Sequence, residues 1–309
     1  MVRGMIATAG VIAGLTLSGI AQAGPAVPLV VTNAPKVGVA TEAKLAGEAL
    51  PHRIWHHLML PGERLDLALA PGQSATVDGE PLGSGWVAGE PGNHALEIVD
   101  AAGARVANVT LFVMRPSSEI DAKGYLGTFR IGTYPNGTTP RGFIQLESEA
   151  DMKLKVSPHF TVGQFICKQQ PGLWPKYLLV SGDNLERLET LLASLREDDL
   201  TDADTLFVMS GWRSPFYNTA IGSAKLSRHM YGDAADVYVD HAPRDGNMDD
   251  INGDGKVTKA DANFLYDYSE DLFAEADVEK GGIGSYKANA VHGPFVHVDA
   301  RGRMARWGR

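Results

Sequence analysis

The sequence has little of what defines several protein classes. It contains one cysteine, Cys167, among 309 residues, so an internal disulfide is excluded. Cys167 follows Phe165 and Ile166, and we expect a buried small hydrophobic side chain rather than a nucleophile. Basic residues number 28 against 37 acidic ones, for a net charge of −9. This balance argues against nucleic acids and anionic membrane surfaces as partners.

Long apolar runs are also missing after residue 23, which predicts no membrane span in the remainder of the chain. The first 23 residues are typical of a secretory signal peptide. Arg3 supplies the positive start, residues 5–20 are apolar, and Ala21-Gln22-Ala23 fits a small-x-small cleavage site. The alternative is an uncleaved anchor, but the run is short for a span of roughly 20 residues. We expect export to the periplasm or cell surface.

Hydrophobic patterning divides the rest of the chain and predicts an α+β protein. Residues 24–48 lack a clear period and are interpreted as a linker. Residues 49–116 alternate in short runs between Gly, Pro and Asp turns, which predicts a small β-sandwich, immunoglobulin-like in type. Residues 117–150 are interpreted as a β-rich connection, and residues 151–309 as a mixed domain of helices and strands.

Two elements of the mixed domain can be placed from the sequence. Leucines at helical spacing predict a helix over residues 185–196, capped by Asp183 or Asn184. Leu206–Met209 is apolar throughout and predicts a buried strand.

A group of histidines precedes the predicted sandwich strands. His52, His56 and His57 surround Trp55, and a pair of histidines four residues apart on a helix is able to bind a metal. No acidic or sulfur residue accompanies them, so we interpret them as surface or interface histidines at a domain edge.

The strongest chemical signal is the run Ser227–Val237. His229 and Asp236 offer imidazole and carboxylate ligands of the kind zinc prefers, seven residues apart. That spacing is too long for neighbouring helix turns, whereas a turn at Gly232 followed by a strand would bring the side chains together. Alternation of Val237 and Val239 with polar residues supports the strand.

A second signal lies near the C-terminus. His297 sits between Val296 and Val298, so in a strand it shares a face with Phe295 and Asp299. Asp299 is a plausible acceptor for the second ring N–H of a metal-bound His297. Alone, His297 would more often be an ordinary packed histidine, and the His229–Asp236 pair alone would be ambiguous. Their combination is more specific for a catalytic metal site, which uses three protein ligands and leaves a fourth position open.

These motifs resemble a known family. The pattern Ser-x-His-x-x-Gly-x-Ala-x-Asp, the later His-Val-Asp, and Ser-Gly-Trp-Arg-Ser at residues 210–214 are similar to the D-Ala-D-Ala carboxypeptidase family of zinc peptidases, especially its exported murein endopeptidase-like branch. The Gly-rich segment 281–286 adds to the resemblance, which covers about residue 151 to the C-terminus. It implies a small α+β domain whose antiparallel sheet carries the metal, with zinc ligation by His229, Asp236 and His297.

The resemblance also implies catalytic roles. Arg213 would bind a substrate carboxylate or stabilise the oxyanion, as its fixed donors suit. The family commonly has an acidic general base three residues before the last histidine, where this chain has Pro294. We therefore consider His292 as the base that takes the proton from the zinc-bound water, with Asp299 as a weaker candidate. A loop histidine without a catalytic role is the equal alternative for His292.

An independent motif lies between the second and third zinc ligands. Residues 250–261 resemble an EF-hand or dockerin-type calcium loop, with Gly255 at the sharp turn and an apolar helical stripe following. Only one such loop is found, so we expect a structural insertion, at about residues 241–280, rather than a docking module. The predicted Ca²⁺ ligands are Asp250, Asn252, Asp254, Lys256, Thr258 and Asp261.

The sequence thus predicts an exported zinc metallopeptidase whose substrate and partner is peptidoglycan, acting as an endopeptidase or D,D-carboxypeptidase. A non-catalytic zinc-containing module that binds peptidoglycan is the alternative, because the usual acidic base is missing. A scaffold assembled through the calcium loop and sandwich is a third, weaker interpretation.

Overall fold

The computed structural model describes residues 42–309. The predicted leader and residues 24–41 of the predicted linker lie outside the described residues. Within the described part the chain forms a few helices and mixed, mainly antiparallel sheets, which confirms the α+β class. None of the described helices is both long and apolar enough to cross a bilayer.

The front of the described chain is all-β. One sheet has the order β3-β8-β7-β5-β6, in which β3 runs parallel to β8 and the other pairs are antiparallel. A small sheet, β2-β1-β4, begins within the predicted linker. The immunoglobulin-like type stays a prediction. The strands are β1 (Lys44–Leu45), β2 (Glu48–Ala49), β3 (Ile54–Met59), β4 (Leu67–Ala68), β5 (Ser74–Val77), β6 (Glu80–Pro81), β7 (Gly92–Val99), β8 (Arg105–Val113) and β9 (Arg115–Pro116).

Alternation explains why the longest of these strands pair. In β7 the side chains of Leu96 and Ile98 are fully buried, while Glu97 between them is half-buried. In β8 the buried Val109 and Leu111 face the same core. A strand with one apolar and one polar face has one stable register, because a shift by one residue exposes the whole apolar set.

The middle of the chain is made of short strands and turns. Strands β10 (Tyr125–Leu126) and β11 (Phe129–Arg130) form a hairpin, and β12 (Gly142–Leu146) pairs with both β9 and β13 (Lys176–Leu178). The described chain also has 3₁₀ turns at Ser117–Glu119, Pro135–Gly137, Asp151–Lys153, Val162–Phe165 and Arg228–Tyr231.

A five-stranded sheet, of order β14-β15-β17-β16-β18, dominates the C-terminal part. Its pairs are antiparallel, as the family resemblance implied, except for β16 and β18, which run parallel. The strands are β14 (Phe207–Ser210), β15 (Ala234–Tyr238), β16 (Gly282–Tyr286), β17 (Phe295–Asp299) and β18 (Ala305–Trp307), and the helices are α1 (Gly182–Glu197), α2 (Pro215–Ala220) and α3 (Lys259–Glu275).

The sheet buries one face against the long helices. Val296, Val298 and Ile283 on that face are fully buried, and both α1 and α3 contact β17. Ser285, on the same face as Ile283, donates a hydrogen bond to Asn263 of α3. The helices therefore cover one side, and the side chains that alternate with this apolar set point to the other side.

Two local predictions about this region are wrong. The N-cap of α1 is Ser181, and Asp183 lies in the first turn instead of capping it, because the helix begins one turn earlier than the leucine pattern indicates. The strand predicted as buried, now β14, is at the sheet edge, and Phe207 keeps 38% of its surface exposed. Its apolar composition reflects stacking of Phe207 on Tyr238, at 4.7 Å between ring centroids.

Strand β3 joins the front of the molecule to the C-terminal part. The Trp55 indole lies against Gly182 at the start of α1, where an added Cβ would approach the ring to 3.1 Å. The ring nitrogens of buried His56 lie 3.0 Å from the Val156 carbonyl oxygen and 3.3 Å from that of Val180. His52 and His56 are both buried, so neither is a surface histidine, and a position at a domain interface stays a prediction.

His56 gives the fold a pH dependence. Burial lowers the pKa of His56 from 6.5 to about 4. Between these values the unfolded chain binds a proton that the folded chain does not, so stability is lost as the pH falls through this window.

We expect a loss of about 3 kcal/mol in unfolding free energy from this residue. Urea unfolding at pH 7 and pH 4.5, with chelator present, should give a smaller pH effect for His56→Gln than for the wild type. Equal pH effects in both proteins would refute this assignment.

Candidate metal centre

Strand pairing brings two of the predicted ligands together. In the β15–β17 ladder Asp236 is directly opposite His297, so both side chains leave the same face. His229 lies in the 3₁₀ turn just before β15, and Gly232 ends that turn with φ of 74°. This left-handed conformation suits glycine and reverses the chain, so that His229 lies above the strand that carries Asp236. The predicted turn at Gly232 is confirmed.

The three potential ligand atoms form a compact triangle. Asp236 Oδ1 lies 3.2 Å from His229 Nε2 and 2.9 Å from His297 Nδ1, and the two nitrogens are 3.2 Å apart. In tetrahedral zinc sites with bonds of about 2.0–2.2 Å, ligand atoms lie roughly 3.3–3.6 Å from one another. An outward shift of a few tenths of an ångström would therefore accommodate the ion, and the residues present fit zinc.

The outer hydrogen bonds determine which ring nitrogens face inward. His229 Nδ1 is 2.7 Å from the Gly211 carbonyl oxygen, which only accepts, so this nitrogen carries the proton. His297 Nε2 donates to Asp299 Oδ2 over 2.9 Å. The predicted hydrogen bond between Asp299 and the second ring nitrogen of His297 is therefore present. When His297 is neutral, both inward nitrogens therefore present lone pairs toward the Asp236 carboxylate, and such a set of acceptors suits a cation.

The local charges favour that arrangement. Burial alone would raise the pKa of Asp236, but the neighbouring His229 and His297 hold it well below its usual range. Burial lowers the pKa of His229, which favours the neutral form able to bind metal. For His297, burial also acts to lower the pKa, but hydrogen bonds to Asp236 and Asp299 outweigh it and raise the pKa in the metal-free protein. Metal binding at this residue therefore competes with a proton.

Arg213 contacts the predicted carboxylate ligand, Asp236, without pointing at the metal position itself. Its Nη2 donates to Asp236 Oδ2, the oxygen that does not enter the triangle. Its Nε donates to Ser210 Oγ at 2.8 Å and its Nη1 to Ser223 Oγ at 3.3 Å. The guanidinium thereby fixes Asp236 as an anion with Oδ1 turned inward, while two of its five N–H groups remain free of these bonds.

This arrangement predicts the effect of Arg213→Lys. A lysine ammonium cannot contact Asp236, Ser210 and Ser223 in one plane, so the carboxylate loses its orientation. We expect zinc affinity to fall by about 10–100-fold, as for other partners of metal ligands. Competition with a chelating dye would measure the change. Arg53→Lys, at an exposed arginine in the front domain, is the control, and equal affinities in the two variants would contradict the role of Arg213.

The structure places the other predicted catalytic residue in a loop. His292 precedes β17, and its ring packs edge-on against Phe295 with centroids 4.9 Å apart. Its Nδ1 lies 2.8 Å from the Gly293 carbonyl oxygen and its Nε2 accepts from the Asn289 amide at 2.7 Å. Both ring nitrogens are therefore engaged. Action as a general base would require Asn289 to release Nε2, and the base role stays a prediction.

The predicted calcium loop has its helix in the expected place. Helix α3 begins at Lys259, the tenth residue of the loop, with Thr258 as N-cap. The carboxylates of Asp250 and Asp254 accept hydrogen bonds from backbone N–H groups of the loop itself. Within residues 42–309, the His229 triangle is the one set of three His, Cys, Asp or Glu residues with ligand atoms all within 4.8 Å. The loop aspartates form no such set, so calcium binding stays a prediction.

Aromatic and basic residues around the centre were not assigned from the sequence. The Trp307 ring lies 5.2 Å from the His297 ring, and its Nε1 donates to Tyr286 Oη at 2.8 Å. Arg301 forms a two-pronged ion pair with Asp299. A Cβ at Gly284 would lie 2.3 Å from the Trp307 indole, so the Gly-rich segment makes room for this ring. Gly284 is therefore the feature of the sequence from which a bulky side chain next to this strand could have been predicted.

Similarity to known proteins agrees with this geometry. A family model described as Peptidase M15 matches residues 158–252. The match includes His229, Asp236 and Arg213, ends before His297, and indicates a metallopeptidase. No curated protein matches the chain. Cys167, within the matched range, is free and buried, and burial raises the pKa of its thiol, so the expectation of a structural cysteine is confirmed.

Proposed function

We propose that this protein is an exported zinc peptidase that hydrolyses peptide bonds in peptidoglycan stem peptides or cross-links, in the periplasm or at the cell surface. The observation that carries the proposal is the buried triangle of His229, Asp236 and His297, whose potential ligand atoms all lie within 4.8 Å of one another. The match to Peptidase M15 over residues 158–252 supports peptide hydrolysis as the reaction. Peptidoglycan as substrate rests on the motif resemblance and on the predicted signal peptide.

Each residue of the centre has a chemical task in this proposal. Zn²⁺, when bound by the triangle, supplies Lewis-acid catalysis and a more acidic water. Gly211 and Asp299 hold the imidazole protons of His229 and His297 on the outer side. Arg213 holds Asp236 in place through an ion pair, and its two free N–H groups are available to a substrate carboxylate or to the developing oxyanion. His292 accepts a proton once Asn289 releases its ring nitrogen.

One observation favours a different function. Pro294 stands where the family resemblance implies an acidic base, and the ring nitrogens of His292 are both hydrogen-bonded. A protein with this centre but no base would hold zinc and bind peptidoglycan without cutting it. The peptidase is preferred because the centre offers three protein ligands, as catalytic zinc sites do, whereas structural zinc sites use four.

Digestion of purified, cross-linked peptidoglycan tests the proposal. The zinc-loaded mature protein should release fragments whose masses identify the cut bond, and His292→Ala should slow the release about 100-fold or more if His292 is the base. Unchanged release of fragments by His292→Ala would exclude His292 as the general base but would leave the peptidase proposal intact. A folded, zinc-loaded wild-type protein that binds peptidoglycan but releases nothing would favour the binding module.

We also propose that Ca²⁺ orders the loop of residues 250–261 at the start of α3. A site filled to about one hundred times its Kd adds about 2.7 kcal/mol to stability, so CaCl₂ should raise the melting temperature by several degrees. Asp254→Ala should remove this rise, and NaCl at equal ionic strength serves as the salt control. Identical melting curves with and without CaCl₂ would end the calcium hypothesis.

A further inference from the structure

Next to the metal centre lies a cavity of about 300 Å³ that the proposed mechanism does not use. Three of its lining residues are arginines, which is unusual for a protein with a net charge of −9. Hydroxyl and amide groups complete the polar lining. The arginines are Arg228, Arg301 and Arg303, and the other polar residues are Asn136, Thr138 and Tyr231.

Two of the arginines are fixed by buried carboxylates. Arg228 donates through Nε and Nη2 to Asp233, which is 7% exposed. Arg301 donates through Nε and Nη2 to Asp299, which is fully buried. In both cases Nη1 has no partner among the described residues. Each guanidinium is therefore held rigidly on one edge and keeps donors on another edge for a further acceptor.

The third arginine has no such explanation. Arg303 is exposed, and within residues 42–309 its side chain has neither a hydrogen bond nor an ion pair. Neutralising Asp233 and Asp299 requires only Arg228 and Arg301, so Arg303 leaves the cavity with one positive charge in excess. Ion pairing with buried carboxylates therefore explains why Arg228 and Arg301 are at this cavity, but it does not explain Arg303.

The cavity is connected to the proposed zinc ligands by short contacts. Arg301 holds Asp299, and Asp299 accepts the Nε2 proton of His297 over 2.9 Å. Arg228 directly precedes His229 in the 3₁₀ turn. A ligand group in the cavity would therefore contact residues that neighbour the zinc ligands, Arg228 through the chain and Arg301 through Asp299.

We propose that this cavity is a subsite for a carboxylate of the substrate peptide. The inference rests on the proposed function and specifies its substrate, a peptide with a free carboxyl group that Arg228, Arg301 and Arg303 would bind. A carboxylate accepts from several donors at once, which matches the free Nη1 groups and the unpaired guanidinium of Arg303. Tyr231 and Thr138, whose hydroxyl oxygens are 2.6 Å apart, add donors that are already ordered.

The test compares two soluble stem peptides that differ only in one carboxyl group, free in one and amidated in the other. Hydrolysis by the zinc-loaded full chain is measured for the wild type, for Arg303→Gln and for the exposed control Arg53→Gln. For the acidic peptide, KM should rise about tenfold in Arg303→Gln, the loss of one charge-assisted hydrogen bond, with kcat unchanged. For the amidated peptide the wild type and Arg303→Gln should be equal.

A binding measurement separates this inference from the proposed function. Calorimetric titration of the metal-free full chain with each peptide requires no turnover. A preference for the free carboxyl in the wild type that disappears in Arg303→Gln supports the subsite, even if neither peptide is cut. Hydrolysis of both peptides with equal loss in Arg303→Gln, or no preference in binding, would overturn the subsite and leave the peptidase proposal intact.

Discussion

His297→Ala should bind no zinc at the centre and should lose at least about 1,000-fold in peptide-bond hydrolysis. Two ligands, His229 and Asp236, would remain, whereas a catalytic zinc site normally uses three protein ligands. A bound metal ion supplies several kcal/mol of transition-state stabilisation, and each 1.36 kcal/mol corresponds to a factor of ten in rate. Mass spectrometry after dialysis measures the zinc content of the variant. Turnover of one soluble peptide measures the loss of hydrolysis rate.

The fold should survive this change. His297 is 6% exposed, but its removal leaves the β15–β17 backbone ladder intact, and circular dichroism of the variant should match the wild type. His241→Ala, an exposed histidine just beyond β15, is the matched control and should keep both zinc and activity. A folded His297→Ala protein that holds one equivalent of zinc would show that the metal binds elsewhere.

Gly232→Ala should destabilise the protein by about 2–5 kcal/mol and also weaken metal binding. The left-handed backbone at this residue costs alanine about 1–2 kcal/mol. An added Cβ would also lie 2.6 Å from backbone and side-chain atoms of Leu179, and such overpacking typically costs about 1–3 kcal/mol. Because Gly232 joins the turn of His229 to the strand of Asp236, relief of this clash would move the two ligands apart.

Gly222→Ala separates the two contributions. Gly222 has a similar φ of 66°, but an added Cβ there meets nothing within 4 Å. This control should lose only the conformational part, about 1–2 kcal/mol, and keep full zinc affinity. Urea unfolding and zinc titration of both variants make the comparison. Equal losses of unfolding free energy in Gly232→Ala and Gly222→Ala would contradict the contribution of the Leu179 contact.

The ligands of the centre were predictable because they occur in motifs that local structure explains. A strand alternates its side chains, so His297 and Asp299 had to share a face, and the glycine after His229 marked a turn. The pairing of Asp236 with His297 was not predictable from residue spacing, because 61 residues separate them. Sheet register, a property of the whole domain, brings them together.

Other features could not be predicted because they depend on distant contacts. The engagement of Arg213 with Asp236 depends on the segment that follows β14, and the sequence indicated contact with a substrate carboxylate or the oxyanion instead. The pKa of His56 is set by burial against carbonyl groups 100 and 124 residues away. The arginine cavity likewise combines the turn before β15 with the segment after β17.

Titration of the metal-free protein with zinc, with hydrolysis of cross-linked peptidoglycan as the readout, tests the central claim most directly. The account predicts that the rate rises in proportion to added zinc, levels off at one equivalent, and stays at background in His297→Ala. Absence of hydrolysis at every zinc content, or equal rates in the wild type and His297→Ala, would contradict it.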